Sequence, residues 1–139
     1  MLADALAWLE LRPDGTYVDC TAGAGGHSAA MAERLPEGRL ISLDRDAMAV
    51  GMATERLKAF PHARVIHAAY GELNRVLDEL GVAKIDGALI DAGCSSMQLD
   101  TAERGFSFQV DGPLDMRMDT QSGEPANALL ARLDEDEIA

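Results

Sequence analysis

Residues 17–28 read YVDCTAGAGGHS: a β-type run that ends on an acid, breaks into three glycines and two alanines, then restarts with helical composition. Ordering a glycine costs more backbone entropy than ordering any other residue, so a cluster of them in an ordered segment has a reason. Either the chain makes a tight turn there, or its backbone must come close to a bound ligand.

Working outward from this stretch, strand and helix signals alternate. Thr16 to Cys20 is β-branched and aromatic, the pattern of a strand, and His27 to Leu35 has helical character until Pro36-Glu37-Gly38. Arg39 to Leu43 is a second strand that ends at Asp44. Asp46 to Phe60 is an Ala/Met-rich helix, with an aspartate in its first turn that suits the helix dipole, and it stops at Pro61. Arg64 to Ala68 makes a third strand, Gly71 to Leu80 a further helix, and Lys84 to Asp91 a fourth strand. Upstream, Leu2, Leu6 and Leu9 recur at helical spacing, with Trp8 beside them, until the turn Pro13-Asp14-Gly15. Strands separated by helices of this length predict right-handed βαβ units and an α/β fold with a doubly wound parallel sheet.

In such a sheet the loop after the first strand binds cofactors. Gly23, Gly25 and Gly26 let backbone approach a ligand, and Asp44 ends the second strand at about the distance, ~20 residues on, of an acid that grips a ribose hydroxyl pair. The competing reading is that Asp44 caps the next helix, although Asp46 stands closer to that helix start. A dinucleotide fingerprint would place a third glycine where Ser28 stands. Asp19, at the strand end ahead of the glycines, would sit near a ligand's positive end. That order suits the sulfonium and amino acid of S-adenosylmethionine (SAM) better than a pyrophosphate, with NAD the alternative.

Composition bounds the rest. The 139 residues suit one domain, and 47% hydrophobic with 26% charged residues argues against disorder. A net charge of −12 repels phosphate backbones, so the chain alone is expected to bind nucleic acid poorly. Cys20 and Cys94 form no metal-ligand pattern, and the three histidines add none, so no metal is expected. With no apolar run long enough for a bilayer and no basic-then-apolar leader, the expectation is a cytoplasmic protein away from membranes.

From Asp86 the chain runs DGALIDAGCSSMQLDTAERGFSFQVDGPLDMRMD. This resembles the signature of the bacterial 16S rRNA (cytosine-N4)-methyltransferases, the MraW-type family, and the resemblance extends back through KIDGALID, EGRLISLDRD and RPDGTYVDCTAGAGGHS. It covers nearly the whole chain, and RGFSF followed by DGPLDMRMD is not a general feature of dinucleotide-type folds. Ala92, Cys94 and Met97 stand where the family more often has Leu, Val and Pro. Family members also have a segment ahead of Met1, a helical domain after DMRMD and further strands. On that resemblance, residues 1–119 form the SAM-binding core, truncated to about four strands, and 120–139 begin the helical insertion with an acidic tail. An open parallel edge then invites pairing with a second copy.

The resemblance implies roles for particular residues. Gly25, Gly26 and His27 match the SAM-contacting loop and Asp44 the ribose-binding acid. Tyr70 matches an aromatic beside the adenine, where stacking suits a flat base, or it is an ordinary half-buried tyrosine. Asp91 and Gln98 match positions near the cofactor. Asp91 is the expected acceptor for the hydrogens of a cytosine N4 amine, with 16S rRNA in the small ribosomal subunit as substrate. In the RGFSF loop, Phe106 or Phe108 would stack on a base and Arg104 or Arg117 would meet a phosphate. Alternatively both phenylalanines anchor the loop and Arg117 pairs with Asp115 or Asp119. The rival reading is a SAM-binding unit that is not catalytic without a partner, and a NAD-dependent oxidoreductase comes third.

Overall fold

Four parallel strands carry the first part of the chain in the computed structural model, which describes residues 2–138. They are β1 (Thr16–Asp19), β2 (Arg39–Asp44), β3 (Ala63–His67) and β4 (Gly87–Leu89), in the order β3-β2-β1-β4. Val18 of β1 pairs with Ile41 on one side and Ala88 on the other. The chain therefore walks outward from β1 to β3, then crosses back to lay β4 on the opposite side. That reversal places the switch point of a doubly wound sheet between β1 and β4.

The alternation of side chains along each strand builds two cores. Tyr17 and Leu40 point to one face, where they meet Leu6, Met31, Ala32, Leu35 and Leu57. These come from α1 (Leu2–Leu9), α2 (Gly26–Ala32) with the turn after it, and α3 (Ala47–Leu57). Val18, Ile41 and Leu43 point to the other face and meet Val76 of α4 (Leu73–Glu79) and Val82. The central strands are buried on both faces, which is why β1 and β2 read as nearly continuous apolar runs.

The chain divides into two compact units, Met1–Ala92 and Gly93–Ala139. The second has no strand among its described residues. It carries α5 (Ser96–Asp100), a single tight helical turn at Ala102–Arg104, α6 (Ala126–Arg132) and α7 (Glu135–Ile138). In the segment expected to begin a helical insertion with an acidic tail, α6 forms and the acidic end is the short helix α7.

The first three strands and the two helices between them lie within one to three residues of the sequence reading, and the larger differences come later. β4 spans three residues rather than 84–91. Just ahead of β4, the Asp86 amide donates to the Thr16 carbonyl (2.7 Å) and its carboxylate accepts from the Thr16 amide (2.8 Å) and from Arg12 (2.5 Å), contacts that hold the carboxyl below the usual range. The helix expected from Gly71 begins as a tight turn at Tyr70–Glu72 and becomes α-helical at Leu73, because the Glu72 carboxylate accepts from the Ala69 amide.

Candidate active site

The C-terminal ends of the four strands bring most of the expected residues to one rim of the first unit. The glycine loop follows β1, Asp44 ends β2, Tyr70 follows β3 and Asp91 follows β4.

Two glycines set the loop. Gly23 has φ +53°, a left-handed conformation, and a Cβ placed there would meet nothing within 4 Å. Gly25 has φ +79°, and its Cβ would stand 3.1 Å from the Ala53 Cα, so the loop lies directly on α3. Asp44 ties the loop down: one carboxylate oxygen accepts from the Gly23 amide at 2.7 Å, the other from the Asp46 amide at 2.9 Å. Capping of α3 falls to Asp46, whose side chain accepts from the Met48 amide, so Asp44 is not the helix cap.

Asp19 is fully buried beneath the loop. One oxygen accepts from the Thr21 amide (3.2 Å) and the other from the Ser28 hydroxyl (2.6 Å), which in turn accepts from the Ser42 hydroxyl (2.9 Å). Burial pushes its carboxyl above the usual range, opposed by these hydrogen bonds and by nearby His27. Asp19 thus acts as a scaffold that fixes the loop to α2 and β2. Ser28, noted in the sequence only as a missing glycine, is the side chain that completes this network.

Thr21 was not singled out by the sequence, and its hydroxyl accepts from the Asp91 amide at 2.7 Å. Its signal is local, a threonine two residues after an acid that holds its own amide. The Asp91 side chain is half exposed and lies 3.9 Å from Nδ1 of His27, which is mostly buried. Tyr70, three residues after β3, is 53% exposed.

The remaining expected residues belong to the second unit. Gln98 is buried and forms a reciprocal cap for α5: its amide donates to the Ser95 hydroxyl while its side-chain oxygen accepts from the Ser95 amide. Arg104 is 7% exposed, and one guanidinium nitrogen donates to the carbonyls of Arg117 and Met118 at 2.9 Å each. Arg117 makes a two-pronged pair with Asp115 (2.8 and 2.7 Å) and reaches the Gly123 carbonyl, and the Asp115 carboxyl is lowered to about 2 mainly by that pair. Both arginines hold the 104–119 segment together. Phe106 is half-buried, whereas Phe108 is fully exposed and anchors nothing.

A parallel sheet in this order, with a glycine loop after β1 and an acid at the tip of β2, is the Rossmann-like fold of class I SAM-dependent methyltransferases. A putative rRNA-methylase from Clostridium thermocellum superimposes with a TM-score of 0.54 at 17% identity, over 68% of this chain and 54% of that one. NSun6 from Pyrococcus horikoshii, solved with SFG, gives 0.54 at 25% identity, over 70% of this chain and 24% of that one. The chain belongs to the MraW methylase family, whose model matches residues 1–139. It is 52% identical over its whole length to ribosomal RNA small subunit methyltransferase H of Thioalkalivibrio sulfidiphilus, and 54% identical over 97% of its length to that of Halorhodospira halophila. The chain spans 45% and 42% of the lengths of these two relatives.

SAM is the cofactor of this family, and the residues at the rim fit it. The backbone at Gly23 is bare and open, the Asp44 carboxylate is only partly buried, and an exposed aromatic ring follows β3. No group of His, Cys, Asp and Glu suited to a metal ion exists among the described residues.

Proposed function

We propose that this chain carries the cofactor rim and reacting edge of a methyltransferase that places a methyl group on N4 of a cytidine in 16S rRNA. The observation that carries this is the Asp44–Gly23 bond at the mouth of an open glycine loop, in a chain of the MraW family. Gly23, Gly25, Gly26 and His27 would border the methionine part of SAM, Asp44 would accept from its ribose hydroxyls, and Tyr70 would stack on the adenine.

Bound SAM supplies an electrophilic methyl on a sulfonium. The protein's task is to align that methyl with a weak nucleophile, because the lone pair of a cytosine N4 amine is delocalised into the ring. Asp91, half exposed at the end of β4, would accept the amine's hydrogens and orient its lone pair, and positioning would supply most of the rate. As the nitrogen gains the methyl it loses a proton, which passes to Asp91 or water. Thr21 and buried Asp19 hold Asp91 and the loop in register. Gln98 matches a family position near the cofactor.

A second reading is favoured by the net charge of −12: a SAM-binding unit whose RNA affinity comes from a partner. Labelled SAM with 30S subunits separates the two. Transfer by this chain that disappears in Asp91→Ala supports the enzyme reading, and SAM binding without transfer supports the partner-dependent one. We also infer a cytoplasmic location, as befits a ribosome-directed activity; no described helix is long and apolar enough to cross a membrane.

Self-association is part of the same proposal. β4 pairs on one side only, and Ile90 beside it is 57% exposed. Light scattering at micromolar concentration is expected to show a dimer or larger species, and a monomer would refute this.

A further inference from the structure

At the end of the sheet opposite the cofactor rim lies a cleft of about 450 Å³ lined by Gly38, Arg39, Pro61, His62, Arg64 and Leu80. Arg64 of β3 pairs with Ile41 of β2, and Arg39 stands two residues before Ile41, so the strand alternation puts both arginines on one face. Both are exposed.

What sets these two apart is that they share one cleft. Arg12, Lys58, Arg75, Arg117 and Arg132 are each paired with a carboxylate. Among the described residues, Arg39 and Arg64 have no acidic partner, although the chain has 24 acidic side chains against 12 basic ones. Two guanidinium groups lining one cleft without a counter-charge raise its positive potential, and an anion bound there lowers it. The carbonyl end of α4, at Leu80, offsets part of one positive charge and leaves the cleft basic. One wall is fixed: Nε2 of His62 donates to the Ala32 carbonyl at 3.0 Å, and its ring stands edge-on to Phe60.

We propose that this cleft is an anion site that takes the phosphodiester backbone of RNA, with Arg39 and Arg64 each presenting a planar fork to phosphate oxygens. The choice of RNA as ligand rests on the function proposed above, whereas the basic character of the cleft does not. The site would hold substrate at a point remote from the reacting rim, on a surface that otherwise repels it.

The test is binding of a short fluorescent single-stranded RNA across a salt series. It uses the unaltered chain, the double variant Arg39→Gln/Arg64→Gln, and a control of equal charge, Arg34→Gln/Lys58→Gln. Each phosphate contact on single-stranded nucleic acid contributes about 0.7 to the slope of log affinity against log salt. The cleft variant should therefore bind several-fold more weakly at low salt, with a slope smaller by about 1.4, while the control keeps its slope. Pyrophosphate should compete with RNA on the unaltered chain. Equal slopes in the two doubles, pyrophosphate binding without RNA binding, or no RNA binding at all would overturn the proposal. Calorimetry with SAM on the same proteins keeps the two readings apart. Intact SAM binding beside an unchanged RNA slope sinks only the cleft, whereas absent SAM binding by the unaltered chain sinks the proposed function.

Discussion

The carboxylate of Asp44, at the tip of β2, accepts a 2.7 Å hydrogen bond from the amide of Gly23, in the loop after β1. Its second oxygen accepts from the Asp46 amide. A carboxylate has about four acceptor positions, so each oxygen keeps one for a ribose hydroxyl. One side chain can thus shape the loop and hold the ligand that the loop cradles.

Substituting Asp44→Ala leaves two partly buried amides without their acceptor. A loss of roughly 1–3 kcal/mol in stability follows, read as a lower midpoint in urea unfolding. An unchanged midpoint would mean that the loop is held by other contacts.

Asp19 gives the fold a pH dependence opposite in sign to that of most carboxylates. Burial raises its folded pKa above the ordinary value of 3.8, so between that value and the folded one the native state binds more protons than the unfolded state. Its contribution to stability is greatest below about pH 4 and falls as pH rises through the folded pKa. Asp19→Asn cannot titrate. The stability difference between variant and parent, followed by thermal unfolding from pH 4 upward, should move steadily in favour of the variant. A difference independent of pH would contradict the assignment.

Much of this architecture was legible before the structure. The runs at Thr16 and Arg39 are strands because both faces of each are covered, and their apolar residues show it. The glycine loop and Asp44 were legible because spacing along a βαβ unit translates directly into position. KIDGALID is apolar enough to suggest a strand longer than the three residues of β4, while the Asp86 bonds to Thr16 and Arg12 that tie its start to the rest of the unit join residues about 70 positions apart. The same limit applies to the network around Asp19, whose partners Ser28 and Ser42 only folding brings beneath it. The cap on α5 was available as Ser95-x-x-Gln98.

The two phenylalanines of the RGFSF loop should separate cleanly. Phe108 is fully exposed, so Phe108→Ala should leave stability within about 0.5 kcal/mol of the parent. Phe106 is half-buried, and its removal should cost about 1 kcal/mol or more. If the exposed ring stacks on a substrate base, Phe108→Ala weakens RNA binding while the melt is unchanged. Equal destabilisation by both substitutions would show that Phe108 packs in solution.

Calorimetric titration of SAM into the purified chain, with NAD as the control ligand, tests the central claim most directly. A charge-assisted hydrogen bond contributes about 1.5–3 kcal/mol, so SAM should bind and Asp44→Ala should weaken it about tenfold or more, with no binding of NAD. Equal SAM affinity in parent and variant, or tight NAD binding with none of SAM, would contradict it.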